Sequence, residues 1–154
     1  MYYGALEAGG TKMVCAIGDA DKNIIDRISI PTGTPDQSLP AMIDYFKKYD
    51  ISALGIGTFG PADINPNSPT YGSIMRSPKK DWEGFSLYKA FTDALGCLVV
   101  VDTDVNAAAW GEYLYGALKG LNSGMYLTVG TGIGGGIISD GRLIHGMEHP
   151  DRYR

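Results

Sequence analysis

Two glycine-rich segments near opposite ends of the chain, residues 3–17 and 125–138, have the composition of phosphate-binding turns. Each is a short apolar run, then Gly with Thr, then a second apolar run, which predicts strand, tight turn and strand. Glycine has no Cβ, so successive backbone N–H groups can point at phosphate oxygens while a Thr hydroxyl adds a donor. The candidate phosphate-binding residues are Gly9, Gly10, Thr11, Lys12, Gly130, Thr131, Gly132 and Gly134. For one segment alone a simple hairpin turn is an equal alternative, and the pair of similar segments favours phosphate.

Three carboxylates accompany these turns. Glu7 precedes the first turn, where a carboxylate can hold Mg²⁺ through water, and an acidic strand residue without such a role is the open alternative. Asp102 and Asp104 follow an apolar strand and precede a helix, so we expect them at the carboxyl edge of the sheet, where ligands of α/β proteins bind. Helix capping alone explains an Asp at position 102. Beside phosphate turns, Asp104 has the chemistry of a general base that accepts a hydroxyl proton during attack on a γ-phosphorus.

Two other nucleotide-binding patterns are excluded. Gly130, Gly132 and Gly135 fit G-x-G-x-x-G, but the dinucleotide fingerprint requires a helix after the turn, and residues 137–141 read as strand and turn. The Walker-A pattern consists of Gly, four residues of any type, and then Gly-Lys-Ser or Gly-Lys-Thr. The sequence does not contain it.

The bulk composition indicates a globular protein. Its 154 residues are 44% hydrophobic and carry a formal net charge of −4, which argues against nucleic acid as the main partner. No apolar run is long enough for a membrane span and the chain starts on a strand pattern, so we expect a cytoplasmic location without a membrane partner. Cys15 and Cys97 lie in apolar runs and are expected to be buried and reduced. His145 and His149 flank Glu148 near the chain end, which is weak evidence for a metal site.

The order of elements predicts an α/β fold with an antiparallel and a parallel portion. Strands are expected at 2–8, 12–17, 24–30, 51–57, 98–101, 125–129 and 135–139, with another from 142, and helices at 35–49, 86–95 and from 102. The last strands repeat the opening hairpin without its helices. We therefore expect a complete first lobe in residues 1–118 and a truncated opening hairpin of a second lobe in 119–154.

Four motifs follow one another along the chain: Glu7-Ala-Gly-Gly-Thr-Lys12, Gly55-Ile-Gly-Thr-Phe-Gly-Pro-Ala-Asp63, the stretch from Asp102 to Glu112, and the stretch from Leu127 to Gly136. Together they resemble the ROK family of sugar kinases, and the resemblance covers essentially the whole chain. The stretches 65–73 and 77–82 and the Thr103-Asp104 pair resemble its bacterial fructokinase branch.

The resemblance implies an actin-like, ribonuclease-H-like fold of two lobes, with Mg-ATP phosphates on both glycine hairpins and the sugar between them. It implies Asp104 as the catalytic base and sugar contacts from Gly60, Pro61, Thr103 and Asp104. Many glucose-type members have Asn where this chain has Thr103, so the resemblance favours fructose, giving fructose 6-phosphate. Glu7 replaces the Asp that is more usual in the superfamily, and magnesium handling is expected to survive this change.

The chain departs from the family pattern after residue 150, where relatives continue into a sugar-binding segment and a structural zinc site. We therefore expect the zinc site to be absent here and the chain alone to have little or no kinase activity. Two other functions stay open, a non-catalytic sugar-responsive regulator and an actin-like ATPase fragment. A homodimer is an open assembly, because incomplete lobes expose apolar strands.

Overall fold

The computed structural model describes residues 1–130 and 132–145. Thr131 of the second glycine turn, and Glu148 and His149 of the weak metal pattern, lie outside these described residues. The described chain forms two sheets and three α-helices. In chain order the elements are β1 (Tyr2–Ala8), β2 (Lys12–Asp19), β3 (Ile24–Pro31), α1 (Pro35–Phe46), β4 (Ile51–Thr58), α2 (Leu87–Leu95), β5 (Leu98–Thr103), α3 (Asp104–Tyr115), β6 (Gly124–Val129), β7 (Ile133–Ser139) and β8 (Arg142–Leu143).

The first sheet has five strands in the order β3-β2-β1-β4-β5. The β1–β2 and β2–β3 pairs are antiparallel, whereas β1–β4 and β4–β5 are parallel. The predicted mixture of an antiparallel meander and a parallel portion is therefore confirmed. Because β1, β4 and β5 run the same way, their carboxyl ends meet at one edge of this sheet.

Helices α1 and α2 cover one face of the first sheet. Leu6, Ile17 and Leu54 from the strands are almost fully buried there, together with Phe46 of α1 and Phe91 of α2. The alternation of buried and exposed residues along β1 shows why: every second side chain points into this core. Helix α1 ends at Phe46, so the predicted end near Tyr49 is wrong.

The two cysteines differ in burial. Cys15 is fully buried in the core, and burial raises the pKa of its thiol to about 12, so it stays protonated. Cys97 is free but only half-buried, which corrects the expectation that both thiols are buried. Neither cysteine forms a disulfide, as expected.

The segment between β4 and α2 seals the free edge of the first sheet. The Tyr71 hydroxyl accepts a hydrogen bond from Val101 N at 2.7 Å and donates to Val101 O at 2.9 Å. Burial raises the pKa of Tyr71, so the phenol keeps the proton that it donates. Gly72 has φ +72°, and a Cβ there would lie 2.4 Å from Tyr88 Cβ, so this position requires glycine. The bonds that an outer strand would make to Val101 are thus supplied by one side chain.

The second sheet is a three-stranded antiparallel meander in the order β6-β7-β8. It packs on α3 through β7 and β6. The predicted lobe boundary at residue 118 falls between α3 and β6 and stays a prediction. Within the described residues, no helix is long and apolar enough to cross a membrane.

Candidate functional site

The parallel strands bring two of the three predicted carboxylates into one row. The β1–β4 register pairs Glu7 with Gly57, and the β4–β5 register pairs Gly57 with Asp102. Side chains paired in this way point to the same face of the sheet. Glu7 and Asp102 therefore lie on one face of the sheet, on either side of Gly57 and two strand spacings apart, roughly 10 Å.

Asp104 begins helix α3 next to this row. The N-cap is Thr103, whose hydroxyl accepts the Asn106 amide at 3.1 Å, so the prediction of Asp102 as the N-cap is wrong. Asp102 belongs to β5, and its carboxylate accepts the Asn106 side-chain amide at 2.8 Å. Asp104 occupies the first turn, where its Oδ1 lies 2.9 Å from Val105 N. A carboxylate at this end of a helix is stabilised by the helix dipole.

Glycines on both sides let α3 lie closely between the two sheets. On the side of the first sheet, a Cβ at Gly57 would lie 2.9 Å from Ala107 Cβ and 3.4 Å from Asp104 Cα. On the side of the second sheet, a Cβ at Gly136 would overlap the Val105 carbonyl and lie 2.8 Å from Ala109 Cβ. The start of α3, with Asp104, is therefore held between two backbones that approach it without side chains.

A cleft of about 660 Å³ opens beside Asp104. Its volume falls within the range of small-molecule sites, roughly 300–1,000 Å³. The first sheet, α3 and the second sheet all contribute to its wall, and Glu7, Asp102 and Asp104 are its charged members. The other lining residues are Ala5, Leu6, Gly55, Ile56, Gly57, Val100, Ala107, Ala108, Trp110, Tyr126 and Leu143. The cleft thus combines an apolar wall with three carboxylates.

The first glycine turn leaves part of its backbone available to a ligand. The Gly9 N–H donates to Lys12 O at 3.0 Å, so it is used within the turn. Its carbonyl accepts the Thr32 hydroxyl at 2.8 Å, which ties the turn to the end of β3. A Cβ at Gly10 would meet nothing within 4 Å, and Thr11 and Lys12 are exposed. The candidate phosphate donors that the turn leaves open are therefore Gly10, Thr11 and Lys12, and contact of Gly9 with phosphate stays a prediction.

The second glycine turn is similar in part. The Gly130 N–H donates to Gly132 O at 2.9 Å, and a Cβ at Gly132 would meet nothing within 4 Å. Gly134 lies inside β7, where a Cβ would be 3.0 Å from Val105 Cγ1. Packing against α3 therefore accounts for glycine at position 134, and its contact with phosphate stays a prediction.

The predicted sugar-contacting loop leaves the sheet beside Asp104. Thr58, the last residue of β4, pairs with Thr103, and Gly60 and Pro61 follow two and three residues later. The Gly60–Pro61 peptide bond is cis, and Pro61 O accepts the Met75 amide at 2.7 Å. The loop is thereby attached to the excursion that seals β5.

Asp63 organises the end of this loop. Burial acts to raise the pKa of its carboxyl, but hydrogen bonds from the Ser68 and Thr70 hydroxyls and the Asn65 amide outweigh it, so the pKa lies below its usual value. The ionised carboxylate of Asp63 therefore stabilises the turn that follows it by accepting these hydrogen bonds. The motif alone did not indicate this structural role.

Metal-binding side chains are sparse in the described part of the chain: residues 1–130 and 132–145 contain no group of three or more His, Cys, Asp or Glu suited to a metal ion. Mg²⁺ usually takes one or two carboxylates and keeps its other positions for water and substrate phosphates. Glu7 in the cleft wall fits that partial ligand set, so its role with Mg²⁺ remains a reasonable prediction. His145 contacts Asp102 at 2.8 Å.

The chain is similar in sequence and in structure to known proteins of one family. Residues 3–151 match the model of the ROK family. A fructokinase of Lactococcus lactis subsp. cremoris is 45% identical over 98% of this chain and 51% of its own length, and a fructokinase of Pediococcus pentosaceus is 42% identical over 98% of this chain and 52% of its own.

The solved structure of a ROK family glucokinase from Streptomyces griseus in complex with glucose and AMPPNP has a TM-score of 0.78 and 30% identity, covering 97% of this chain and 48% of that one. This chain therefore spans about half the length of the relatives it matches. Its fold is that of the actin-like ATPases, which these neighbours share. The chain belongs to the ROK family of proteins.

Proposed function

We propose that this chain forms the base-carrying part of an ATP-dependent hexose kinase. The observation that carries the proposal is the position of Asp104: it begins α3, between the sheets that bear the two glycine turns, and it lines a ligand-sized cleft with Glu7. A kinase needs a carboxylate at the sugar hydroxyl and anion-binding turns near it. The relatives named as fructokinases and glucokinases support the same reaction class.

In this mechanism Asp104 orients the sugar hydroxyl and accepts its proton as the oxygen attacks the γ-phosphorus. The bond from the γ-phosphorus to the ADP oxygen breaks as the bond to the sugar oxygen forms, giving a sugar phosphate and ADP. Asp104 lies in the first turn of α3, where the helix dipole favours negative charge.

The exposed donors of the glycine turns would hold the phosphates. Gly10 and Thr11 offer backbone N–H groups, Lys12 offers its ammonium, and Gly132 offers the open part of the second turn. Thr131 is predicted to add a hydroxyl there. Glu7 would hold Mg²⁺ through water, and the ion would neutralise charge on the transferred phosphoryl group.

We further propose fructose as the sugar. The fructokinase relatives are 40–48% identical to this chain, whereas the glucokinases are 30–35% identical. Thr103 is almost fully buried and its oxygen already accepts a hydrogen bond as the N-cap, which leaves its proton to donate. Thr103 would therefore contribute to sugar choice in two ways: its hydroxyl can donate one hydrogen bond, and as the N-cap it fixes the position of Asp104. Gly60 and Pro61 would form the neighbouring wall.

The test uses the 154-residue chain and two variants. Asp104→Asn removes the base with little change in shape, and Asp93→Asn removes an exposed carboxylate of α2 that pairs with Lys89 at 2.7 Å. ADP release is measured with Mg-ATP and with fructose, glucose or no sugar, and Mg-AMPPNP binding is measured by calorimetry. We expect turnover below about 1 per second, which is slower than that of ordinary kinases.

The expected pattern separates the candidates. ADP release should depend on fructose, fall by about 100-fold or more in Asp104→Asn, and stay unchanged in Asp93→Asn. AMPPNP should bind all three proteins. Release that is independent of sugar would support an ATPase instead, and sugar binding without nucleotide binding would support a regulator. Fructose-dependent release that is measurable and equal in Asp104→Asn and the parent chain, or no binding of AMPPNP, would overturn the proposal.

We also propose that the chain associates through its second sheet. The face of this sheet that points away from α3 is apolar, and its side chains are 44–77% exposed: Met125, Leu127, Val129, Ile133 and Ile137. A contiguous apolar face of this kind usually marks a contact surface. A homodimer would cover it, and a kinase that uses ATP would work in the cytoplasm.

A further inference from the structure

His145 follows β8 and makes a direct polar link between the two sheets. Its Nε2 lies 2.8 Å from Oδ2 of Asp102, 43 residues earlier at the end of β5. Leu143 of β8 and Asp102 of β5 both line the cleft, so this link joins two strands of its wall. Helix α3 packs between the two sheets, with close approaches at Gly57 and Gly136.

Asp102 is a well-ordered partner for this histidine. Its Oδ1 accepts the Asn106 side-chain amide at 2.8 Å and the Thr103 backbone amide at 2.7 Å. Both donors belong to the start of α3 or the end of β5, so they fix the plane of the carboxylate. Oδ2 is then left pointing toward His145. The histidine is thus connected through Asp102 to the N-cap that precedes Asp104.

The link also changes the charge of the cleft. Among the described lining residues there are three carboxylates, Glu7, Asp102 and Asp104, and no Lys or Arg. Such a wall repels the phosphates of a nucleotide. A donor on Asp102 offsets part of its negative charge, because a hydrogen bond to a carboxylate stabilises that charge locally.

We propose that His145 is a positioning residue: through Asp102 it holds the second sheet, and with it the second glycine turn, at a fixed separation from Asp104. The link between the two sheets rests on the contacts described above. Its consequence for phosphoryl transfer rests on the proposed kinase function. The residue touches no reacting atom. Its effect on nucleotide binding passes through the position of β6 and β7.

The experiment is a double-mutant cycle read by amide hydrogen exchange. The variants are His145→Ala, Asp102→Ala and the double variant, with His145→Gln as the conservative replacement that keeps a donor. Arg142→Ala is the control, because Arg142 is an exposed residue of the same strand. The reporter is the Ile144 amide, which donates to Ile137 O at 2.9 Å and joins β8 to β7.

We expect His145→Ala to raise exchange at Ile144 about fivefold, with partial recovery in His145→Gln and no change in Arg142→Ala. Asp102→Ala also removes bonds to α3, so the informative quantity is the coupling: in the Asp102→Ala background, the histidine substitution should add little. Additive effects, or equal exchange in all variants, would overturn the proposal.

A second readout separates positioning from general loosening. The dissociation constant of Mg-AMPPNP should rise about fivefold in His145→Ala, while that of fructose stays unchanged, because only the nucleotide is expected to use the second turn. Gln should restore most of the affinity. If exchange shows the coupling but the chain binds neither nucleotide nor sugar, the proposed kinase function fails and the link between the sheets stands. If both ligands bind and weaken equally, the positioning role is wrong.

Discussion

Replacing Gly57 by Ala should push helix α3 away from the first sheet. The added methyl would lie 2.9 Å from Ala107 Cβ and 3.4 Å from Asp104 Cα, and neither atom is the end of a flexible side chain. Overpacking of this kind costs about 1–3 kcal/mol of unfolding free energy. Against this, Ala restricts the unfolded chain and contributes about 0.4–1 kcal/mol in favour of folding. The net expectation is a loss of about 1–2 kcal/mol.

Gly55→Ala is the matched control for this prediction. Gly55 lies two residues earlier on the same strand and the same face, and a Cβ there would meet nothing within 4 Å. Gly55→Ala restricts the unfolded chain in the same way but adds no methyl contact with α3. The difference in unfolding free energy between the two variants therefore measures the contact with α3.

Urea unfolding followed by circular dichroism measures this difference. With a slope of about 2 kcal/mol per molar urea, Gly57→Ala should unfold about 1 M earlier than Gly55→Ala. Equal midpoints would refute the idea that α3 depends on a bare strand at Gly57.

Two further predictions concern the edge and the face of the sheets. Tyr71→Phe removes the hydroxyl that satisfies both backbone groups of Val101, so it should lower the free energy of unfolding in urea by about 1–3 kcal/mol. Tyr88→Phe, the control in the adjacent ring, should lower it by less than about 0.5 kcal/mol. Equal losses in the two variants would contradict the role of Tyr71 at the sheet edge. Leu127→Lys should abolish concentration-dependent association in sedimentation velocity, whereas Ile24→Lys on the exposed end of β3 should not. A parent chain that stays monomeric at all concentrations would contradict association.

Much of the fold follows from local sequence. The alternation in β1 and the apolar run of β4 set the types of these elements, and the glycine turns set the hairpins, so strand order along the chain is predictable. The end of a strand is harder to predict from propensity. Asp102 and Thr103 are both good N-cap residues, and the choice of Thr103 depends on β5 continuing two residues further through its pairing with β4.

The remaining features depend on residues that are distant in sequence. Nothing near Tyr71 indicates that its hydroxyl reaches Val101, 30 residues away. Gly134 and Gly136 have the local pattern of a phosphate turn. Their lack of Cβ instead allows close packing on α3, which precedes them by about 30 residues. A single sequence does not separate a glycine kept for a ligand from one kept for packing, because both need only the absence of a side chain.

The two sheets have the same opening design, which explains why one face of the second is exposed. Strands β1-β2-β3 and β6-β7-β8 are both antiparallel meanders with a glycine turn after the first strand. Aligned on these turns, Leu6 corresponds to Leu127 and Glu7 to Thr128. Leu6 is buried beneath α1 and α2, whereas Leu127 is 59% exposed. The apolar side of the second sheet is therefore equivalent to a side that helices cover in the first, and its partner must present a comparably apolar surface.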